Sequence, residues 1–226
     1  MSEHPNVTYD RPFRTLFEDG VHLLIASENS QDNDESNSLA RGSIACTMML
    51  PEVVANICIE SLHLDATIFN EIDKLAPLAK FDYYLRSSFR ERKLPSGVLP
   101  VQKLQELKRL RDTFVHPKRY QVAWKPSEDG TYTGESKRTQ FLHMSANPTM
   151  WHSGDAVNAM QGVHDFLSFF FKDICKMSKC KATNLLFSDD VLLGNSEGGF
   201  FYYRRTFHTA LKRWNINTSY FRIGVL

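Results

Sequence analysis

The chain has 226 residues, of which 42% are hydrophobic and 23% are charged, and its formal net charge is +1. This length and composition fit an ordinary globular protein that can bury a sizeable core. They exclude a disulfide-rich miniprotein, an intrinsically disordered chain and a collagen-like chain.

The N-terminal part of the chain is predicted to form two helices. Apolar residues recur at helical spacing over residues 12–27, and the polar segment 28–38 indicates an exposed loop. Small and apolar residues dominate residues 38–65, as in a central core helix. Pro51 predicts a kink or a break within that helix.

Prolines mark the helix boundaries predicted for the middle of the chain. A helical stretch follows over residues 65–89, interrupted near Pro77, and residues 94–100 have the composition of a loop. The next predicted helix covers residues 101–115, which are strong helix formers. We expect it to end before His116, because the residue preceding a proline is disfavoured in the helical conformation.

The C-terminal half is predicted to be less regular. Residues 120–150 indicate two short strands around a turn-rich loop, an excursion from the helical part. Residues 153–177 have an amphipathic pattern that predicts a helix capped by Ser153 or Asp155. The tail from Lys181 onward fits both a short helix and strands.

One arginine lies on the apolar side of the helix predicted over residues 101–115. On a wheel at about 100° per residue, Arg111 falls between Leu104 and Leu107, whereas Glu106 lies on or near the polar side. A buried guanidinium group needs a carboxylate, a subunit interface or a phosphate as its partner. The first alternative is an ion pair between Arg111 and Glu60.

The charge is distributed unevenly along the chain. Residues 1–79 carry 4 Lys and Arg against 13 Asp and Glu, whereas residues 80–120 carry 11 against 4 and residues 121–226 carry 12 against 9. The local excess of positive charge over residues 80–120 is typical of a surface that attracts a polyanion. A solvated basic face that keeps the protein soluble has the same pattern.

The segment LKRLRDTFVHP, residues 107–117, resembles the motif of the HEPN superfamily (higher eukaryotes and prokaryotes nucleotide-binding domain), which is an Arg, a polar residue, a short spacer and a His. The segment ANICIESL, residues 55–62, resembles the small-residue helix with an internal glutamate that precedes this motif. The resemblance covers residues 38–120, with residues 157–177 as the closing helix. It implies an all-α bundle with a four-helix core, a homodimer in which two motifs face each other, and in many members a metal-independent endoribonuclease.

The resemblance assigns a role to each residue of the motif. Arg111 would stabilise the charge that develops on the scissile phosphate, and His116 would move protons to or from the ribose 2′-hydroxyl or the leaving oxygen. Asp112, at a position where Asn is frequent in the family, would orient one of these groups. No metal and no other cofactor is implied. Sequence-independent contacts to RNA phosphates would come from Lys108, Arg109, Lys118 and Arg119.

Two other functions remain open at this point. The protein could be a non-catalytic nucleotide- or RNA-binding or interaction module that uses the same basic surface, or Arg111 could have a purely structural role in the pair with Glu60. Members of the family that a partner nucleotidyltransferase silences have a tyrosine two residues after the histidine, and this chain has Lys118 there. Lys118 in place of the tyrosine argues against regulation by a nucleotidyltransferase. Regulation by another partner protein is still expected to be possible.

The predicted organisation is one helical domain, residues 1–180, with the inserted excursion 120–150, followed by an irregular α/β extension, residues 181–226, packed on the bundle. The eight aromatic side chains of residues 198–226 fit a core better than a base-stacking surface, and Trp124 and Trp151 are expected to pack as well. The four cysteines have no CxxC spacing and indicate free thiols. Without a signal peptide or a membrane-spanning run of apolar residues, the expected location is the cytoplasm.

Overall fold

The computed structural model of the protein describes residues 11–89, 92–120, 122–126, 130, 132–187 and 201–226. Most of these residues are helical, which confirms the predicted all-α class with small β elements. The helices are α1 (Pro12–Asn29), α2 (Asn33–Glu60), α3 (Ala66–Asp73), α4 (Pro77–Ser88), α5 (Leu99–Val115), α6 (Ser153–Ser168), α7 (Lys179–Phe187) and α8 (Arg205–Arg213). Two antiparallel strands, β1 (Ala123–Pro126) and β2 (Tyr132–Glu135), form a hairpin, and two parallel strands, β3 (Phe201–Tyr203) and β4 (Ile223–Val225), join the ends of the tail.

α2 is the central helix, and α1, α4 and α6 pack around it, while α5 packs against α6. The helix begins inside the segment predicted to be a loop, because Asp32 caps it by accepting a hydrogen bond from the Glu35 N–H at 2.8 Å. Pro51 does not end the helix. By length and composition α2 could cross a membrane, but 61% of its most apolar window is buried inside the protein, as in a core helix.

The proline and histidine residues at the ends of α4 and α5 lie where the sequence predicts them. α4 begins at Pro77, and Pro100 lies in the first turn of α5. α5 ends at Val115, and His116 has φ −117° and ψ 68°, outside the helical region, as expected for a residue that precedes proline.

α6 starts as predicted, but neither Ser153 nor Asp155 is its N-cap. The cap is His152, whose ring Nδ1 accepts a hydrogen bond from the Gly154 N–H at 3.0 Å, while Asp155 accepts one from the His152 N–H at 3.2 Å. This reciprocal pair is a capping box in which an imidazole replaces the usual hydroxyl group. The helix then widens into a π-helical turn over Phe169–Ile174, where the sequence pattern predicts a continuous α-helix.

Glu106 holds the excursion 120–150 against the bundle. It lies on α5 and is 7% exposed, so its predicted place on or near the polar side of the helix is wrong. Three backbone N–H groups compensate its burial, at distances of 2.7 to 3.0 Å from its carboxylate, and they belong to Gln140, Phe141 and Leu142. The excursion does contain two short strands, but β2 begins at Tyr132, inside the segment PSEDGTYTG (residues 126–134) that the sequence predicts to be the loop.

The aromatic tail packs into the core, as predicted. Of the eight rings in residues 198–226, six are buried and Tyr202 is exposed, whereas Phe200 lies outside the described residues; the buried rings are Phe201, Tyr203, Phe207, Trp214, Tyr220 and Phe221. Trp151 is fully buried, as expected. Trp124 is 65% exposed, so the expectation that it packs is wrong: it lies on β1 of the two-stranded hairpin, and all four residues of β1 are exposed.

His164 gives the fold a dependence on pH. Its Nδ1 lies 3.1 Å from the Tyr220 hydroxyl, its Nε2 has no hydrogen-bond partner among the described residues, and burial lowers its pKa from 6.5 to about 3. Below pH 6.5 the unfolded chain binds a proton that the folded chain excludes, so stability is lost as the pH falls. We expect this residue alone to lower the free energy of unfolding by about 1.4 kcal/mol per pH unit between pH 6 and pH 4.

Urea unfolding of the wild type and of His164→Gln across this pH range measures that contribution. The variant retains a polar side chain but does not titrate, so the difference in stability between the two proteins should narrow as the pH falls. A difference that stays constant from pH 7 to pH 4 would contradict the assignment.

Candidate functional site

The predicted motif lies at the C-terminal end of α5, on the surface of the protein. Arg111 and Asp112 lie near the last turn of the helix, and His116 directly follows it. These three residues are exposed, as are the four predicted phosphate ligands. We call this set of seven residues the basic end of α5: Lys108, Arg109, Arg111, Asp112, His116, Lys118 and Arg119.

Arg111 is exposed although it lies on the apolar side of the helical wheel. Its side chain is 47% exposed and lies at the rim of a small apolar groove between α2, α4 and α5. A long basic side chain can follow apolar surface with its carbon atoms and keep its charge in water. The guanidinium group therefore needs no buried partner.

Glu60 does not pair with Arg111, and the expectation of this ion pair is wrong. Near the C-terminal end of α5, Phe114 lines a cleft together with Arg41, in the N-terminal half of α2. Glu60 is the last residue of α2, about 28 Å along the helix from Arg41 at a rise of 1.5 Å per residue. Because α2 and α5 run in opposite directions, Glu60 lies beyond the reach of Arg111.

Asp112 is the acidic residue among the seven that form the basic end of α5. It lies 3.9 Å from Nη1 of Arg111 and 4.0 Å from Nζ of Lys108. Both distances are too long for a hydrogen bond, and an exposed ion pair of this kind contributes little stability. Both cations are therefore open to another anion. Attraction for a phosphate must come from these side chains, because the C-terminal end of a helix carries the negative end of its dipole.

The His116 ring has no hydrogen-bond partner in the part of the chain that the structure describes. Its backbone N–H donates to the Asp112 carbonyl at 3.0 Å and fixes the residue at the helix end. Five positions separate Arg111 from His116, which corresponds to about 140° around the helix axis and about 7.5 Å along it. The Cα atoms of the two residues therefore lie on different sides of the helix axis.

A cleft beside His116, formed by residues distant in the chain, is not predicted by the sequence. It has a volume of about 450 Å³ and is lined by Arg41, Phe114, Pro117, Tyr120, Pro148 and Thr149. The Tyr120 hydroxyl donates to the Thr113 carbonyl at 3.0 Å, one of the last four carbonyls of α5, which have no partner within the helix. This bond folds residues 117–120 back over the helix end. The only indication of this cleft in the sequence is that two aromatic residues, Phe114 and Tyr120, lie on either side of His116–Pro117.

Two other kinds of site are a metal centre and a nucleophilic cysteine. Among the described residues, no three His, Cys, Asp or Glu side chains form a group that could hold a metal ion. The four cysteines are free thiols, as predicted. Burial raises the pKa of Cys175 to about 12 and raises that of Cys58 well above its usual value, so these two thiols are poor nucleophiles.

Comparison with known proteins identifies no relative: no family model, no curated protein and no solved structure matches the chain. The resemblance of residues 107–117 to the HEPN motif is a likeness of a short segment and stays an expectation. The candidate site is therefore defined by the residues and the geometry described above.

Replacing Asp112 by Asn should strengthen the attraction of the basic end of α5 for the phosphates of a polyanion such as RNA. The change removes the carboxylate that competes with phosphates for Lys108 and Arg111, so we expect roughly a 3- to 10-fold gain in affinity at low salt, and a smaller gain at higher salt. Fluorescence polarisation of a labelled single-stranded RNA measures it. The matched control is Glu71→Gln, which removes an exposed carboxylate from α3. An equal gain in both variants, or none in either, would contradict a local effect of Asp112.

Proposed function

We propose that the protein binds RNA through the basic end of α5 and cleaves it without a metal ion, with Arg111 and His116 as the catalytic residues. The observation that carries this proposal is that both side chains are exposed at one helix end, among four further cations and beside a single loosely held carboxylate. Such a surface attracts phosphates, and neither Arg111 nor His116 is needed to hold the bundle together.

The reaction that fits these residue types is transfer of the phosphate to the neighbouring ribose hydroxyl. The 2′-oxygen forms a bond to phosphorus, and the bond from phosphorus to the 5′-oxygen of the next nucleotide breaks. A base takes the proton of the 2′-hydroxyl, and an acid gives a proton to the leaving 5′-oxygen. The products are a 2′,3′-cyclic phosphate and a 5′-hydroxyl, so atoms and charge balance without another reactant.

Each side chain suits one part of this reaction. His116 can accept or donate a proton, and no described residue forms a hydrogen bond with its ring. Arg111 has a planar, permanently charged group that can donate two hydrogen bonds to the phosphate oxygens. Lys108, Arg109 and the pair Lys118 and Arg119 would hold the phosphates on either side.

We further propose that the active form is a homodimer with composite sites. In one copy Arg111 and His116 diverge by about 140° around α5. A two-fold axis beside the end of α5 would bring Arg111 of one copy to His116 of the other, and would build two equal sites. We propose that this homodimeric ribonuclease acts in the cytoplasm, where its cysteines would stay free thiols. A regulatory partner protein would silence it by covering the basic end of α5.

The proposal is tested by incubating the purified protein in EDTA with an RNA oligonucleotide and with a DNA oligonucleotide of the same sequence. Because the nucleophile is the 2′-hydroxyl, we expect the RNA to be cleaved, and the DNA to be bound but left intact. Cleavage of the DNA, or cleavage of the RNA only after Mg²⁺ is added, would contradict this chemistry.

A further inference from the structure

We propose that the cleft lined by Arg41, Phe114 and Tyr120 binds one unpaired nucleobase of the RNA, so that the protein selects single-stranded RNA. This inference rests on the proposed function, since the RNA backbone reaches the cleft along the basic end of α5. The cleft adjoins that surface directly, because Phe114 and Pro117 flank His116 closely in the chain and Lys118 and Arg119 follow.

The aromatic walls of the cleft are held in place by the fold. The Phe114 ring packs on the Trp151 ring, with centroids 5.3 Å apart and an interplanar angle of 32°. Trp151 is fully buried, and its Nε1 donates to the Ser145 carbonyl at 2.9 Å. Tyr120 is fixed by its hydrogen bond to Thr113. A base that enters the cleft meets rings that are already ordered, so little conformational entropy is lost on binding.

Arg41 supplies the charge of the cleft. Its guanidinium Nη2 donates to the Ser38 hydroxyl at 2.9 Å, which directs the group from α2. Within the described ranges no carboxylate lies at ion-pair distance from it. A planar cation without a carboxylate partner can stack on a base and can also bind the adjacent phosphate. The charge of the cleft is therefore complementary to a nucleotide.

The size of the cleft and the position of His116 favour a single nucleotide. A volume of about 450 Å³ lies within the range of small-ligand sites, roughly 300–1,000 Å³. Pro117, which directly follows His116, is one of the lining residues, so a base in the cleft would place its ribose toward this end of α5, where the 2′-hydroxyl would react. A base paired in an A-form duplex presents no free face to such a cleft, since RNA proteins stack on bases in unpaired segments.

The test is a thermodynamic cycle of binding affinities. One step removes the bases of the ligand, and the other removes the Phe114 ring of the protein. The ligands are a five-residue 2′-O-methyl oligonucleotide, which cannot be cleaved, and its abasic counterpart with the same phosphates. The protein is the wild type, Phe114→Leu and, as the matched control, Trp124→Leu, which removes an exposed ring on the hairpin. We expect the wild type to bind the oligonucleotide with bases roughly 5- to 100-fold more tightly than the abasic one.

In Phe114→Leu this preference should fall to less than about threefold, while the affinity for the abasic ligand stays unchanged. Trp124→Leu should retain the full preference. If circular dichroism shows that Phe114→Leu is unfolded, Tyr120→Leu takes its place in the cycle.

The outcomes separate the two proposals. Equal affinity of the wild type for both ligands, or an equal loss for both in Phe114→Leu, would overturn the base-binding cleft and leave RNA binding by the basic end of α5 intact. Failure of the wild type to bind either ligand would overturn the proposed function itself. Tighter binding of a blunt RNA duplex than of the single strand would also overturn the cleft.

Discussion

His116→Ala is expected to lower the rate of RNA cleavage roughly 10²- to 10⁴-fold and to change RNA affinity by less than about twofold. The ring moves protons in the proposed reaction but contributes no permanent charge to binding, and the fold does not depend on it because it is exposed after the end of α5. Single-turnover cleavage together with polarisation binding separates the two quantities. His22→Ala, which removes an exposed histidine from α1, is the matched control.

Arg111 should behave differently from His116. Arg111→Ala removes the permanent charge that would contact the phosphate in the proposed reaction, so both affinity and rate should fall. Arg111→Lys restores the charge but not the planar pair of donors, and should recover affinity more completely than rate. If His116→Ala weakened binding as much as it slowed cleavage, His116 would be a phosphate ligand and the module would be non-catalytic.

Mixing two inactive variants should restore activity if the sites are composite. A dimer of Arg111→Ala with His116→Ala contains one site with both native residues and one site with neither. Random exchange of subunits gives about half mixed dimers, so the mixture should reach about one quarter of wild-type activity. This is a rise of roughly 25-fold or more over either variant alone, since each retains about 1% activity or less.

The experiment requires subunit exchange, which is achieved by unfolding and refolding the two variants together and is verified by mass spectrometry of differently labelled copies. If mixed dimers form and the activity does not rise, Arg111 and His116 act within one copy. If the refolded wild type is a monomer in sedimentation at assay concentration, the composite site is also contradicted.

The sequence predicts the local features of this fold well, because they depend on local chemistry. Pro77 and Pro117 set helix ends through the geometry of the proline ring, and the helical pattern of residues 153–177 places the buried face of α6. The position of His116 at an exposed helix end follows from the same reasoning, so the location of the motif could be predicted before its surroundings were known.

Features that depend on distant partners could not be predicted. Glu106 is buried because three backbone N–H groups of the excursion reach it, and no pattern within α5 reveals those donors. Lys80 is similarly buried, and its ammonium binds the side chains of Glu52, Asn56 and Asp73. A periodic pattern indicates which face of a helix is apolar but not whether a neighbouring helix covers it.

The candidate site contains features of both kinds, those that local sequence predicts and those that depend on distant partners. The wheel places Arg111 on the apolar side correctly, but that side opens into a groove at this position, which leaves the guanidinium group in water. The cleft beside His116 joins α2, the end of α5 and the residues before α6, and contacts between such distant segments leave no periodic trace in the sequence. Neither the exposure of the Arg111 guanidinium group nor the cleft could therefore be predicted from the sequence.

The measurement that tests the central claim most directly is the chemistry of the ends that the protein leaves on RNA. Wild type, Arg111→Ala and His116→Ala are incubated with a single-stranded RNA in EDTA, and the fragments are analysed by mass spectrometry. We predict 2′,3′-cyclic phosphate and 5′-hydroxyl ends that both substitutions abolish. Ends with a 5′-phosphate, or cleavage that persists in both variants, would contradict catalysis by Arg111 and His116.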